Sequence, residues 1–229
     1  MKKISILGDS ISTFTGYTTP DGVFYDLFCV AMAEMRGVDD TWWMRVIHEL
    51  DGQLEVNNSF SSTTVCENFS CGNPIAESAR IMDAFHRSPN YLPGCSDQRT
   101  AGLGNPDMIL VSMGTNDAGY GVDLGKFSRD YHLMLQKLKR NYPHAEIWCS
   151  TLLWSYCIKN DCMDYYPPGA SASLDPYNKV IREAAASEKC FLADLAAEGV
   201  EYAAIDIVHP HNEGMKTIAD LWLKYLKTN

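Results

Sequence analysis

The sequence lacks any uninterrupted apolar segment of the roughly 18 to 20 residues that a membrane-spanning helix requires. It also lacks a long basic stretch, because 19 lysines and arginines stand against 29 acidic residues and the formal net charge is −10. Such a chain does not offer the positive surface that binds phosphate backbones. We therefore expect no membrane span, no nucleic-acid partner, and a weak preference for neutral or cationic substrates.

The N-terminus lacks the features of a secretory leader. Lysines at positions 2 and 3 are followed by only about five apolar-leaning residues before Gly8, whereas a leader has an apolar region of roughly 7 to 15 residues. We interpret this segment as the first strand and predict a cytoplasmic protein.

Eight cysteines are too few for a disulfide scaffold in a chain of 229 residues, so reduced thiols are expected. Two pairs share a C-x4-C spacing, Cys66 with Cys71 and Cys157 with Cys162. This spacing does not match a standard zinc site, and no histidine pair accompanies it. We predict loop thiols, free or occasionally bridged, and no metal or cofactor; a metal or redox role is the alternative.

Apolar runs alternate with helix-like segments along the whole chain. Strands are predicted at 3–7, 54–57, 108–113, 146–152 and 190–192. Helices are predicted at 25–35, 42–50, 76–85, 127–140, 176–187 and 213–226. Because the strands are mostly continuous apolar runs, both faces of the sheet should be covered. We predict one α/β domain over residues 1–229: a three-layer αβα, flavodoxin-like fold whose sheet has about five mostly parallel strands.

Two long segments rich in turn residues, 86–106 and 154–175, interrupt this pattern. Loops of this length in a compact domain usually carry function or disorder. The second follows a strand directly, so it should overhang the carboxyl edge of the sheet, where open α/β sheets bind ligands. Its aromatic side chains are candidate substrate contacts: Trp154, Tyr156, Tyr165 and, less directly, Tyr166. The Trp42-Trp43 pair lies at helical spacing and is predicted to be core.

The first predicted strand ends at Gly8 and is followed at once by Asp9 and Ser10. Two interpretations fit Ser10. It caps a helix N-terminus, as serines at such turns often do, or it is a nucleophile placed where backbone N–H groups favour negative charge. The segment is neither G-x-G-x-x-G nor a P-loop, which argues against a nucleotide-binding fold.

Three further polar segments follow later strands: NNSFSST at 57–63, MGTNDAG at 113–119 and DIVHPHNEG at 206–214. Together with GDS at 8–10 they resemble the SGNH hydrolase superfamily, the GDSL-like esterases and lipases, in the expected order. The resemblance extends from residue 4 to residue 214. It implies a serine esterase that needs no cofactor.

The resemblance implies that Ser10 is the nucleophile, His209 its general base and Asp206 the carboxylate that orients the imidazole. A serine hydroxyl needs such a base to become nucleophilic. His211, two residues away, is the rival base. The alternatives are a surface role for His209 and a cap of the last helix for Asp206. Asp9 and Asp117 are expected to tie turns together by hydrogen bonds.

In the family, the oxyanion is held by the nucleophile's N–H, a glycine N–H and an asparagine side chain. Ser10 and Asn116 match the first and third. The glycine position is occupied here by Ser62, or by Ser61 if the alignment is shifted by one residue. Since a backbone donor survives a change of side chain where φ and ψ allow it, the departure affects oxyanion geometry and rate more than the type of reaction.

The predicted substrate is a short, acetyl-like acyl ester, with a carbohydrate as a candidate alcohol, because no long apolar lid segment is visible in the sequence. The alternatives are a thioesterase, lysophospholipase or acyltransferase on the same site. A catalytically silent ligand-binding module is the alternative from another class. The sequence does not indicate an oligomeric state.

Overall fold

The computed structural model describes residues 1–67, 88–158 and 174–228. The strands in these ranges are β1 Lys2–Gly8, β2 Gly52–Asn57, β3 Met108–Ser112, β4 Glu146–Ser150, β5 Ser155–Cys157, β6 Phe191–Ala193 and β7 Tyr202–Ala204. The α-helices are α1 Leu27–Met32, α2 Trp42–Glu49, α3 Asp97–Ala101, α4 Thr115–Tyr120, α5 Leu124–Asn141, α6 Leu174–Ser187 and α7 Asn212–Leu226.

Five strands form one sheet in the order β2-β1-β3-β4-β6, and every neighbouring pair is parallel. Ile4 in β1 lies opposite Leu54 in β2 and Met108 in β3. The predicted five-stranded α/β fold is therefore confirmed. Because all strands run in the same direction, their carboxyl ends meet at one edge, which is where the polar segments of the sequence begin.

Successive residues of β1 face two separate apolar cores. Ile4 and Ile6 belong to a cluster that includes Trp42 of α2 and Trp222 of α7, whose indole rings stack. Leu7 belongs to a second cluster with side chains of α5 and α6. Trp42 is fully buried, so its predicted core position is confirmed.

A second, two-stranded parallel sheet joins β5 to β7, with Ser155 opposite Tyr202. The sequence interpretation did not include either strand, because three-residue strands give almost no periodic signal. β5 lies inside the predicted long segment 154–175, and β7 leads directly into the 206–209 turn. The small sheet thus holds Ser155–Cys157, at the start of a segment that was expected to be a loop.

Several other boundaries differ from the sequence predictions. Helix α5 begins at Leu124 because the Asp123 side chain caps it by accepting from the Lys126 N–H. Helix α3 lies within the predicted loop 86–106, capped by Ser96, and α4 occupies a segment that was predicted to be a turn. The predicted helix at 76–85 lies outside the described residues.

Cysteine chemistry is mostly as expected. Free thiols are found at Cys29, Cys66, Cys95, Cys149 and Cys190. Cys157 is disulfide-bonded, in agreement with the expectation that some of the loop thiols are bridged. Cys71 and Cys162 lie outside the described residues. Among the described helices, none combines the length and apolarity needed to cross a bilayer.

Candidate active site

The nucleophile candidate lies on a tight turn directly after β1. Asp9 caps a three-residue 3-10 turn, Ser10–Ser12, and its Oδ1 accepts from the Ile11 N–H at 3.0 Å. A Cβ at Gly8 would lie 2.6 Å from Ser12 Oγ, so glycine is required for this close approach. Ser10 is thus the first residue of a short 3-10 helix, as its expected place near a helix N-terminus requires, whereas its alternative role as the cap is wrong because Asp9 is the cap.

The histidine candidate lies on a turn that returns to β7. Ala204 and Pro210 form an antiparallel bridge across this turn. Within it, Asp206 Oδ1 accepts from the backbone N–H groups of Val208 and His209, at 2.7 and 2.6 Å. The carboxylate is thus fixed by the backbone of the same turn that carries the imidazole.

The two turns meet at the carboxyl edge of the sheet. His209 Nε2 lies 2.9 Å from Ser10 Oγ, and His209 Nδ1 lies 2.7 Å from Asp206 Oδ2. Both contacts are satisfied when the proton is on Nδ1, because Nδ1–H then donates to the carboxylate and Nε2 accepts from the serine hydroxyl. This arrangement can remove a proton from Ser10.

The Asp206 carboxylate keeps its charge in this setting. Burial opposes ionisation, but attraction to His209 and the hydrogen bonds from His209 and Val208 outweigh it, and the pKa of Asp206 is lowered from its usual value. An ionised Asp206 is what an imidazolium at His209 would need as a partner.

His211, the rival base, has a different position. It is the N-cap of α7, where its Nδ1 accepts from the Glu213 N–H. Its side chain is 9% exposed. The structure therefore brings His209, and not His211, to Ser10, and the alternative role of Asp206 as the α7 cap is wrong.

Aromatic side chains hold the histidine turn in place. The Phe24 ring stacks on the His209 imidazole with 3.4 Å between ring centroids and 8° between planes. Tyr25 Oη donates to the Pro210 carbonyl at 2.8 Å, and burial raises the pKa of Tyr25 so that it remains a donor. The sequence interpretation placed residues 24 and 25 near the first helix and missed this role.

The β5 segment also contributes to this support. Ser155 Oγ donates to the Ile207 carbonyl at 2.5 Å, from the segment that was expected to overhang the site. The only signal for this contact in the sequence is the position of the segment after a strand.

The oxyanion candidates Ser62 and Asn116 follow β2 and β3, the two strands that flank β1 in the sheet. Ser62 has φ of 60°, the left-handed conformation that favours glycine. The Ser61 N–H donates instead to the Gly22 carbonyl at 2.8 Å, as does its hydroxyl. Ser62 therefore has a backbone conformation that favours glycine, whereas the Ser61 N–H is already paired with Gly22.

Asn116 lies in the first turn of α4. Its Nδ2 donates to the Thr63 carbonyl at 2.9 Å, next to Ser62. This bond uses one of the two amide hydrogens. The contact fixes the orientation of the amide relative to the 58–63 loop.

Asp117 ties α4 to the chain beyond that loop. Its two carboxylate oxygens accept from the N–H groups of Val65 and Cys66, at 2.8 and 3.2 Å. Burial raises the pKa of Asp117 to about 6, and it also raises that of Asp9 to about 6. Both aspartates make the turn-stabilising hydrogen bonds that were expected of them.

Comparison with known proteins identifies the family. A family model described as GDSL-like Lipase/Acylhydrolase matches residues 2–165. The chain belongs to this family, which is part of the SGNH hydrolase superfamily. The matched range includes Ser10, Ser62 and Asn116 and ends before His209, so the 2.9 Å contact between the two turns is independent of that match.

Solved structures share the fold of this GDSL-like hydrolase over its full length. A protein of Bacteroides ovatus described as a GDSL-like lipase is 24% identical, with a TM-score of 0.68 and coverage of 100% of this chain and 99% of that one. The aryl esterase of M. smegmatis is 14% identical, with a TM-score of 0.68 and coverage of 100% and 98%. A carbohydrate acetylesterase family member of Sinorhizobium meliloti is 14% identical, with a TM-score of 0.65 and coverage of 100% and 98%. No curated protein sequence matches.

The substrate-contact candidates of this GDSL-like chain have varied positions. Trp154 is partly buried and packs against the apolar cluster that includes side chains of α5 and α6, so its ring belongs in part to the core. Tyr156 lies on β5 with 50% of its surface exposed. Tyr165 and Tyr166 lie outside the described residues. Within the described ranges, no group of three or more His, Cys, Asp or Glu side chains is arranged to hold a metal.

Proposed function

We propose that the chain is a serine carboxylic-ester hydrolase that works by two-step acyl transfer. Membership of the GDSL-like family supports a hydrolase acting as an esterase or lipase. The observation that carries the mechanism is a hydrogen-bonded relay of three side chains. Asp206 Oδ2 lies 2.7 Å from His209 Nδ1, and His209 Nε2 lies 2.9 Å from Ser10 Oγ. Because these residues come from turns 199 positions apart, the fold itself must hold the relay together.

In the first step, His209 Nε2 takes the Ser10 proton while Ser10 Oγ forms a bond to the ester carbonyl carbon. The carbonyl oxygen becomes an oxyanion, which the backbone N–H groups of Ser10 and Ser62 and the Asn116 amide stabilise. The tetrahedral intermediate collapses, the bond to the alcohol oxygen breaks, and the imidazolium donates its proton to the leaving alcohol.

In the second step, His209 accepts a proton from water, and the hydroxide oxygen attacks the acyl carbon of the Ser10 ester. The same donors hold the second oxyanion. Collapse releases the carboxylic acid, and the proton returns to Ser10 Oγ. Neither step requires a metal or an organic cofactor.

We propose a short acyl group, acetyl-like, with a carbohydrate as one possible alcohol. A serine at position 62, where the family has glycine, adds a Cβ and a hydroxyl to the residue of a proposed oxyanion donor, and this added bulk favours a small acyl group. A structure of the same fold is that of a carbohydrate acetylesterase family member. Tyr156 is half exposed and is a candidate surface for a sugar ring.

The test of the nucleophile is covalent labelling by a fluorophosphonate probe. We expect labelling of the wild type and its complete loss in Ser10→Ala. The matched control is Ser12→Ala, because Ser12 lies in the same turn but its Oγ accepts from the Trp42 indole N–H at 3.2 Å. Absence of labelling in folded wild-type protein would favour the silent binding module instead.

The test of the substrate is hydrolysis of p-nitrophenyl esters with acyl chains from C2 to C12, together with acetate release from acetylated oligosaccharides. We expect the highest kcat/KM at C2. A maximum at long chains would favour a lysophospholipase, and faster turnover of acyl thioesters would favour a thioesterase. Transfer of the acyl group to an added alcohol in preference to water would identify an acyltransferase.

A further inference from the structure

A buried arginine lies beneath the candidate oxyanion hole. Arg99 belongs to the short helix α3 and is 3% exposed. Its Nη2 donates to the carbonyl oxygens of Gly8, at 3.0 Å, and Asn58, at 2.6 Å. Its Nη1 donates to Thr63 Oγ1 and to the Leu92 carbonyl, each at 3.3 Å. All four acceptors are electrically neutral.

A guanidinium in this position is energetically expensive. Burial without a hydrogen-bonded carboxylate penalises the charged form, and it lowers the pKa of Arg99 to about 10. The group therefore remains charged at neutral pH. Attraction to the buried Asp9 carboxylate offsets part of the penalty. Since a well-packed apolar side chain often serves stability equally well or better, stability alone gives little reason for a cation here.

Three of the four acceptors, those of Gly8, Asn58 and Thr63, lie close in the chain to Ser10 or Ser62. Gly8 is two residues before Ser10. Thr63 directly follows Ser62, and its carbonyl oxygen is the acceptor for Asn116 Nδ2. One planar guanidinium therefore joins the nucleophile turn to the loop that carries Ser62 and accepts a hydrogen bond from Asn116. Its fixed fork geometry is one that a flexible ammonium cannot reproduce.

We propose that Arg99 is a positioning residue of the oxyanion hole, which sets the spacing of the Ser10, Ser62 and Asn116 donors and adds a buried positive charge to the field that stabilises the tetrahedral intermediate. This inference rests on the esterase function proposed above. Because the preorganised donors act on charge that develops in the transition state, loss of Arg99 should affect kcat more than KM.

The test compares Arg99→Met, which removes both fork and charge, with Arg99→Lys, which keeps the charge and loses the fork. Turnover of p-nitrophenyl acetate is measured per folded molecule, with folding followed by circular dichroism and thermal unfolding. For Arg99→Met we expect kcat to fall about tenfold or more while KM changes less than about threefold. The kcat of Arg99→Lys should lie between that of Arg99→Met and that of the wild type.

A second measurement separates positioning from a purely structural role. Phenylboronic acid forms a tetrahedral anionic adduct with an active serine, so its inhibition constant should rise in parallel with the loss of kcat. A structural role would lower the unfolding temperature and the folded fraction but leave boronate affinity per folded molecule unchanged.

The matched control is Lys137→Met. Lys137 is also a mostly buried cation and donates to the Cys95 carbonyl at 2.6 Å, in the segment that precedes α3, but it has no hydrogen bond to the turns that carry the donors. We expect its kcat and boronate affinity to stay within about twofold of the wild type.

The outcomes are distinct. A folded Arg99→Met with wild-type kcat and boronate affinity overturns the inference. If Arg99→Met does not fold, Arg99→Lys decides, and unchanged kcat and boronate affinity in that variant overturn it as well. Failure of the esterase proposal has a different signature, because the folded wild type itself would then show neither fluorophosphonate labelling of Ser10 nor turnover of p-nitrophenyl acetate.

Discussion

Replacing Ser62 by glycine tests whether the backbone, rather than the side chain, holds the oxyanion. Ser62 has φ of 60°, a conformation that costs an L-residue roughly 1 to 2 kcal/mol. Glycine avoids this strain, but its greater freedom in the unfolded chain costs about 0.5 to 1 kcal/mol. We therefore expect the free energy of unfolding of Ser62→Gly to lie within about 1 kcal/mol of the wild type.

The activity of Ser62→Gly should change little, because its N–H keeps its place. We expect kcat/KM within about threefold of the wild type. Ser62→Val should behave differently, since a branched side chain is a genuine outlier at this φ. The turn should then move the N–H out of position, and because one oxyanion donor is worth about 10² to 10³ in kcat, a fall of tenfold or more is expected.

The assay is p-nitrophenyl acetate hydrolysis per folded molecule, with urea unfolding as the measure of stability. The control is Ser61→Gly, because the Ser61 N–H donates to Gly22 and not to the site. A tenfold loss of kcat/KM in folded Ser62→Gly would refute the reasoning, since activity would then depend on the Ser62 side chain rather than on its backbone N–H. A large loss in Ser61→Gly with none in Ser62→Val would show that the position was assigned to the wrong serine.

Three further variants test the surroundings of the relay. Burial raises the pKa of Asp9 to about 6 from 3.8, so the folded protein binds this proton more tightly than the unfolded chain and loses stability as pH rises through this range. Between about pH 4 and pH 7, the free energy of unfolding should fall by about 2 to 3 kcal/mol less in Asp9→Asn than in the wild type, as measured by urea unfolding. The same pH dependence of unfolding in both proteins would contradict the expectation. Asp206→Asn removes the acceptor for His209 Nδ1–H and should lower kcat by up to ~10⁴ with little effect on KM in steady-state assays, whereas a loss below about tenfold would argue against its role. Phe24→Leu removes the aromatic ring that stacks on the imidazole and should lower kcat severalfold, whereas Phe24→Tyr keeps a ring and should keep kcat. Equal kcat values for the two variants would show that stacking does not matter.

The sheet could be predicted because it depends on a local pattern, and the candidate site residues could be predicted because the segments that carry them resemble those of a known family. Continuous apolar runs define buried parallel strands wherever they occur, and parallel strands bring the segments that follow them to one edge. Ser10, Asn116 and His209 each stand in a short polar segment after such a run or near the C-terminus. Their meeting at one edge follows from the order of the strands.

The residues that support the site could not be predicted in this way. Arg99 lies in a polar segment, SDQRTAG, that reads like an exposed turn, and its acceptors are mostly backbone carbonyls, which every residue possesses. Phe24 is one of several aromatics near a predicted helix, and nothing local indicates that its ring lies against an imidazole 185 positions away. Such contacts depend on the tertiary arrangement, which hydrophobic periodicity and secondary-structure propensity do not report.

The choice between Ser61 and Ser62 shows the same limit at the scale of one residue. Both are serines in one polar segment, and both offer an identical backbone N–H, so no property of the side chains distinguishes them. They differ in the structure, where Ser61 pairs twice with the Gly22 carbonyl and Ser62 has a left-handed φ of 60°. A glycine at 62 would have marked the position in the sequence, since only glycine adopts that conformation without strain. Because position 62 is a serine, the sequence does not mark it. The structure distinguishes it by the contact between Ser61 and Gly22 and by the strained φ of Ser62.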